Sequence, residues 1–168
     1  MQIALVPSTP ENAQIIRNLY PLYMHDLSAF LGEMPNVHGI FEADDSRTWE
    51  EWLTRHQGIW WEKPGVLFPQ IIMADGRPAG FVLVASPPYV PKGIDYMISE
   101  FFLLHPFRGK GVGEAALARV LEQFRGAWEC HVLSANRPAL RFWRRALLPY
   151  GVTESESAEA VIFRFAHR

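Results

Sequence analysis

The chain has 168 residues, of which 49% are hydrophobic and one is cysteine, and its formal net charge is −2. That composition excludes a disordered chain and a disulfide scaffold, and the charge gives no electrostatic basis for a nucleic-acid partner. The length suits one domain over residues 1–168 with a single core. No apolar run approaches the roughly 20 residues of a membrane helix, and the N-terminus lacks a basic start and a long apolar stretch. A cytoplasmic protein without membrane contact is expected.

In chain order, Ile3–Pro7 reads as a short strand. Ser8, Thr9, Pro10 and Glu11 supply a helix start, and Ile16, Leu19, Tyr20, Tyr23, Leu27, Phe30 and Leu31 recur at helical spacing up to about Gly32. Glu33–Ala43 reads as a loop; Asp44-Asp45-Ser46 can then cap a helix carrying Trp49, Trp52, Leu53 and His56. From Pro64 the pattern turns to strands. Val66–Met73 and Pro78–Ala85 form a hairpin about Asp75-Gly76, a pair suited to a tight turn. A proline-rich loop, Ser86–Gly93, precedes the strand Tyr96–Leu104. A helix over Glu114–Phe124, a strand over Trp128–Leu133, a helix opening at Asn136-Arg137-Pro138 and running to Leu147, and a last hairpin of Tyr150–Glu154 with Ala160–Phe165 complete the chain. The order β-α-α-β-β-β-α-β-α-β-β predicts an α/β or α+β fold, a mixed sheet covered by helices. Its antiparallel middle argues against a regular doubly wound fold.

Chemistry concentrates at Arg108-Gly109-Lys110-Gly111-Val112-Gly113, between a strand and a helix. The first N–H groups of a helix lack intrahelical partners and carry the positive end of the dipole. Glycines let such a backbone approach a ligand closely, so the segment suits a phosphate or pyrophosphate. A glycine-rich turn with two solvated cations is the plain alternative. Gly111-x-Gly113-x-x-Ala116, with Glu129 downstream, also fits a loose dinucleotide pattern. That pattern needs its first glycine at the strand end, whereas His105-Pro106-Phe107-Arg108 intervenes here.

Arg108-x-x-Gly111-x-Gly113, and more weakly Asn136-x-x-Ala139-x-x-Phe142-Trp143, resemble the two signatures of the GNAT superfamily of acetyl-CoA-dependent N-acetyltransferases. The resemblance implies the GNAT-like acyl-CoA N-acyltransferase fold, a predominantly antiparallel central sheet with helices on both faces. It implies transfer of acetyl from acetyl-CoA to a primary amine of a small molecule or protein by direct attack. A non-catalytic acyl-CoA sensor or assembly module is the alternative. Under the resemblance, amides from Arg108 to Gly113 hold the pyrophosphate, with Val112 contributing backbone only. Phe102, Leu103 and Leu104 pair main chain with the pantetheine arm, and an N–H near Leu103 or Leu104 meets the oxyanion. Asn136 faces the pantetheine or thioester region, or simply caps its helix. The family's usual tyrosine is replaced by Trp143, whose indole N–H is too weak an acid to protonate the coenzyme sulfur; Tyr96, Tyr150 or water are left for that role. Glu100, on the strand leading into the signature, is the base, or else an exposed strand carboxylate.

Tyr20, Tyr23, Asp26, Trp49, Trp52, Tyr89 and Tyr96 are candidates for an acceptor wall, though helical spacing explains most of them as core. Eight acids between Asp26 and Glu62 favour a cationic amine. Arg141, Arg144 and Arg145 are candidates for a 3′-phosphate, or a solvated helix face. Cys130 reads as a buried inert thiol, the histidines show no metal-ligand spacing, and no metal is expected. A homodimer is compatible with the sequence.

Overall fold

In the computed structural model, which describes residues 1–41 and 44–168, one seven-stranded sheet organises the chain. Glu42 of the acidic run and Ala43 at the end of the expected loop lie outside the described residues. The strands are β1 (Ile3–Pro7), β2 (Leu67–Ala74), β3 (Arg77–Ala85), β4 (Tyr96–Leu103), β5 (Gly126–Leu133), β6 (Thr153–Glu156) and β7 (Ala160–His167). They lie in the order β1-β2-β3-β4-β5-β7-β6. Every neighbouring pair is antiparallel except β4 and β5.

The helices are α1 (Gln14–Leu31), α2 (Trp49–Gln57), α3 (Ile59–Glu62), α4 (Val112–Gln123) and α5 (Arg137–Leu147). Two cores result, one on each face of the sheet. α4 and α5 bury Val112, Leu117, Leu140 and Trp143 against Val82, Val84, Ile98 and Trp128. α1, α2 and α3 bury Ile16, Tyr20, Trp52 and Trp60 against Ile71, Phe81, Leu83 and Phe102. Helices on both faces of a mostly antiparallel sheet match the expected architecture.

Local chemistry shifts several boundaries. α1 begins at Gln14, later than Ser8–Glu11, because Asn12 Oδ1 accepts from both the Thr9 amide and the Ser8 hydroxyl and holds that segment as a turn. α2 is capped by Thr48, whose hydroxyl accepts from the Glu51 amide at 3.1 Å, while Asp44 bonds the Ser46 amide instead. The Asp75-Gly76 turn forms as read, with φ of 48° and 75°. Tyr150 belongs to a 3₁₀ turn, Leu148–Tyr150, and the last hairpin starts at Thr153.

Two irregularities in β4 position everything that follows. Leu83 pairs with Glu100 but Val84 with Ile98, so Ser99 is the extra residue of a β-bulge. The bulge reverses the alternation of faces: Ile98 packs toward α4, whereas Glu100 and Phe102 turn toward α1. Beside it, the β4–β5 ladder runs only from Tyr96↔Trp128 to Ile98↔Cys130 and then stops. The two strands splay apart, leaving the distal half of β4 open along the β5 side.

Candidate active site

A cleft of about 650 Å³ follows that split. Its walls are the C-terminal half of α1, the end of β4, the start of α4 and one face of α5. Among the sequence candidates, Phe102, Leu103, Arg108, Gly109, Gly113, Asn136 and Trp143 line it.

The turn before α4 is built to present amides. Gly109 and Gly111 have φ of 70° and 76°, and Gly111 caps α4 without a side-chain hydrogen bond. The N–H groups of Gly109 through Glu114 take no acceptor among the described residues, and the first protein bond is Ala115 N–H to the Gly111 carbonyl. A Cβ on Gly113 would lie 2.8 Å from Phe142 Cε2, so glycine is what lets α4 and α5 meet here. This arrangement fits a diphosphate: a row of donors at a positive helix end, with open space at Gly109 and Gly111. Val112 lies 1% exposed in the core, so only its backbone is offered, and Lys110 Nζ donates to the Pro106 carbonyl at 2.7 Å.

Arg108 behaves differently. Its own N–H donates to His105, and its side chain folds back over β4. Nε donates to the Leu103 carbonyl at 2.7 Å, the guanidinium lies 5.6 Å from the Phe102 ring centre, and Nη2 pairs with Asp26 of α1. The Leu104 N–H donates to Ala79 at 2.8 Å, so the antiparallel alternation turns the Phe102 and Leu104 amides toward β3. The Phe101 and Leu103 amides consequently face the open side. Of the three residues expected to pair with an extended ligand, Leu103 presents its main chain there.

Glu100 lies between β4 and α1, where its carboxylate accepts a hydrogen bond from the Tyr23 hydroxyl. Burial, and then the Glu100 charge, push the Tyr23 hydroxyl well above its ordinary value. Tyr23 therefore stays a neutral donor, and the contribution has a definite pH sign. It is complete below the unfolded tyrosine value of about 10 and is lost as pH rises beyond it. The thermal midpoint of the wild type should fall between pH 9 and 11, and the fall should be shallower in Tyr23→Phe; equal slopes would count against the buried contact.

Asn136 caps α5, accepting from the Ala139 amide at 3.1 Å, and also lines the cleft. Trp143 is 6% exposed and meets Phe101 edge-on at 5.4 Å. Tyr96 packs on Phe124 and Trp128, and Tyr150 on Phe165; neither lines the cleft that Trp143 borders. Most of the residues expected for an acceptor wall lie away from the cleft. Tyr20 stacks on Phe81 in the core with Trp52 against it, and Trp49 packs on Trp52. Asp44, Asp45 and Glu51 gather on Arg55, and the hydrogen bond from His56 holds Asp44 down to about 2. Tyr23 and Asp26 remain at the cleft, joined by His25, Leu27 and Phe30, which were not among the acceptor candidates.

Of the three 3′-phosphate candidates on α5, Arg144 pairs with Glu154, Arg145 lines the cleft but pairs with Glu114, and Arg141 lines the cleft with no ion pair among the described residues. Burial pushes the Cys130 thiol up, which removes it as a nucleophile. Among the described residues no group of three His, Cys, Asp or Glu side chains is placed to hold a metal, and no helix is long and apolar enough to cross a membrane.

The cleft thus joins an amide cradle to a splayed strand that presents its main chain. A model of the acetyltransferase (GNAT) family matches residues 30–147, and the chain belongs to that family. Solved structures agree on the fold. An acetyltransferase from Thermus thermophilus superposes with a TM-score of 0.70 at 17% identity, covering 99% of this chain and 97% of that one. The PaiA N-acetyltransferase of Thermoplasma acidophilum, solved with coenzyme A, gives 0.67 at 10% identity over 99% and 100%. A histone acetyltransferase HPA2-related acetyltransferase from Corynebacterium glutamicum gives 0.67 at 15% identity over 100% and 98%. No curated protein matches the chain.

Proposed function

We propose that this protein moves the acetyl group of acetyl-CoA to a primary amine by direct attack. The observation that carries the reading is the run of unpartnered amides from Gly109 to Glu114, opening into the same cleft as the free edge of β4. Those amides hold the pyrophosphate, the open edge of β4 faces the pantetheine arm, and Arg141 is the cation available for a further phosphate. The thioester supplies an activated acetyl group; the chain orients it and manages protons.

A lysine-like amine has a pKa of about 10.4 and must be neutral to attack. Glu100 accepts that proton while the Tyr23 O–H holds the carboxylate in place. An oxyanion forms at the carbonyl, for which the Leu103 amide, turned away from β3, is the donor. With Trp143 at the usual tyrosine position, the thiolate takes its proton from water. A cytoplasmic setting accompanies this reading, as does the free buried thiol of Cys130.

Trp143 also favours a second reading, a CoA-binding module without catalysis. Purified protein incubated with acetyl-CoA and a panel of polyamines, aminoglycosides and lysine peptides decides between them. Acetylated amine with stoichiometric thiol release is expected; binding of acetyl-CoA with no product in any well would favour the sensor.

A further inference from the structure

The core beneath α1, α2 and α3 draws on β2, β3 and β4 and on no buried residue of β5, β6 or β7. Past β4, that face of the sheet carries Glu129, His131 and Arg164 among the apolar Ala127, Leu133, Ile162 and Ala166. Cys130 packs toward α4 with its partner Ile98, so Glu129 and His131 on either side of it turn to the opposite face. Glu100 stands on the same face, paired with Leu83 of the α1 core. The β4–β5 ladder ends at Ile98↔Cys130, and His131 is the first β5 residue beyond it. Glu100 and His131 thus occupy the two banks of the split on one side of the sheet.

His131 belongs to a built arrangement. The Glu129 side chain is 1% exposed, yet Oε1 is 2.6 Å from His131 Nε2 and Oε2 accepts from Arg164 Nε at 2.7 Å. Burial alone would raise the Glu129 carboxyl; the bonds from His131 and Arg164 outweigh it and hold the group below its ordinary value. An ionised carboxylate only accepts, so Nε2 carries the hydrogen donated to Glu129 and Nδ1 is the ring nitrogen not engaged by it. The imidazole side chain is 41% exposed, so a substrate can reach it. The charged or titratable groups on this face include Glu129 of the same strand, Arg164 of β7, Glu100 of β4 and the Tyr23 and Tyr20 hydroxyls of α1.

We propose that His131 is a second proton acceptor for the amine substrate, oriented by Glu129 as its positioning residue; the proposal rests on the N-acetyltransferase reading. An alkylammonium loses two protons on its way to an amide. The first passes to Glu100 and leaves a neutral amine. As the C–N bond forms and the C–S bond breaks, the second passes from nitrogen to His131 Nδ1, and Glu129 stabilises the imidazolium. The electron pair of the broken bond departs with sulfur, and the thiolate takes one proton back from solvent. The balance is ammonium plus thioester giving amide, thiol and one released proton.

The test uses the full chain, acetyl-CoA and the fastest amine of the panel above, or water as nucleophile in acetyl-CoA hydrolysis if no amine turns over. His131→Gln should lower kcat by about 100-fold and make the acid limb of the pH profile less steep, the Glu100 contribution remaining, with acetyl-CoA affinity unchanged. Glu129→Gln should lower kcat less, again with acetyl-CoA affinity unchanged. His131→Asn provides the same readout if the glutamine variant folds poorly. A wild-type rate and profile in either folded His131 variant would overturn the proposal and leave the parent reading standing. Failure of the wild type to bind acetyl-CoA would overturn both.

Discussion

Substituting valine at both Gly111 and Gly113 is expected to reduce acetyl-CoA affinity by two orders of magnitude or more. Gly111 has φ +76°, a backbone conformation that costs a side-chain-bearing residue about 1–2 kcal/mol, so the turn will relax and re-aim its amides. At Gly113 a Cβ would sit 2.8 Å from Phe142 and 3.4 Å from Leu103, pushing α4 away from α5 and from β4. Each charge-assisted hydrogen bond to a phosphate contributes about 1.5–3 kcal/mol. Loss of two therefore amounts to two to four decades in the dissociation constant, at about 1.4 kcal/mol per decade. Gly151→Ala is the control, because it also has positive φ, at 64°, but lies outside the cleft. Calorimetric titration reads both variants; a double valine variant that folds and binds as the wild type would remove the amides from the site.

Glu100→Gln should lower kcat by roughly 10²–10⁴ while acetyl-CoA binding stays within a factor of two, the range for loss of a positioned general base. Glutamine keeps the shape and still accepts from the Tyr23 hydroxyl, so the change isolates the proton-accepting function. Below the pH at which the amine substrate itself titrates, the rate of the wild type should climb with pH as the carboxylate forms. That climb should flatten in the variant. An unaltered profile would show Glu100 to be a structural partner of Tyr23 and nothing more.

Much of this architecture is legible in local sequence. Asp75-Gly76 specifies its hairpin, Asn136-Arg137-Pro138 caps α5 with the bond its type implies, and the glycine turn sits where strand and helix periodicities meet. Near-neighbour chemistry decides such features, so near neighbours reveal them. The start of α1 misleads because two capping sets compete within a few residues, and Asn12 wins by bonding Thr9 and Ser8. The bulge at Ser99 depends on the register of two strands, which no single strand records. Likewise the Tyr23–Glu100 contact joins residues 77 apart, and the acid-rich run disperses because Asp44 finds His56 and Arg55 beside it. Arg108 shows the same limit: its position in the motif is readable, but its engagement with Asp26 comes from the arrival of α1 over β4.

The central claim is that the cleft between β4 and the α4 turn holds acetyl-CoA. Isothermal titration of the wild-type chain with acetyl-CoA tests it most directly. One site per chain, with a dissociation constant on the order of 1–100 μM (about −8 to −5 kcal/mol), is the expected result. Absence of binding heat at millimolar acetyl-CoA, confirmed by an unshifted thermal midpoint, would contradict it.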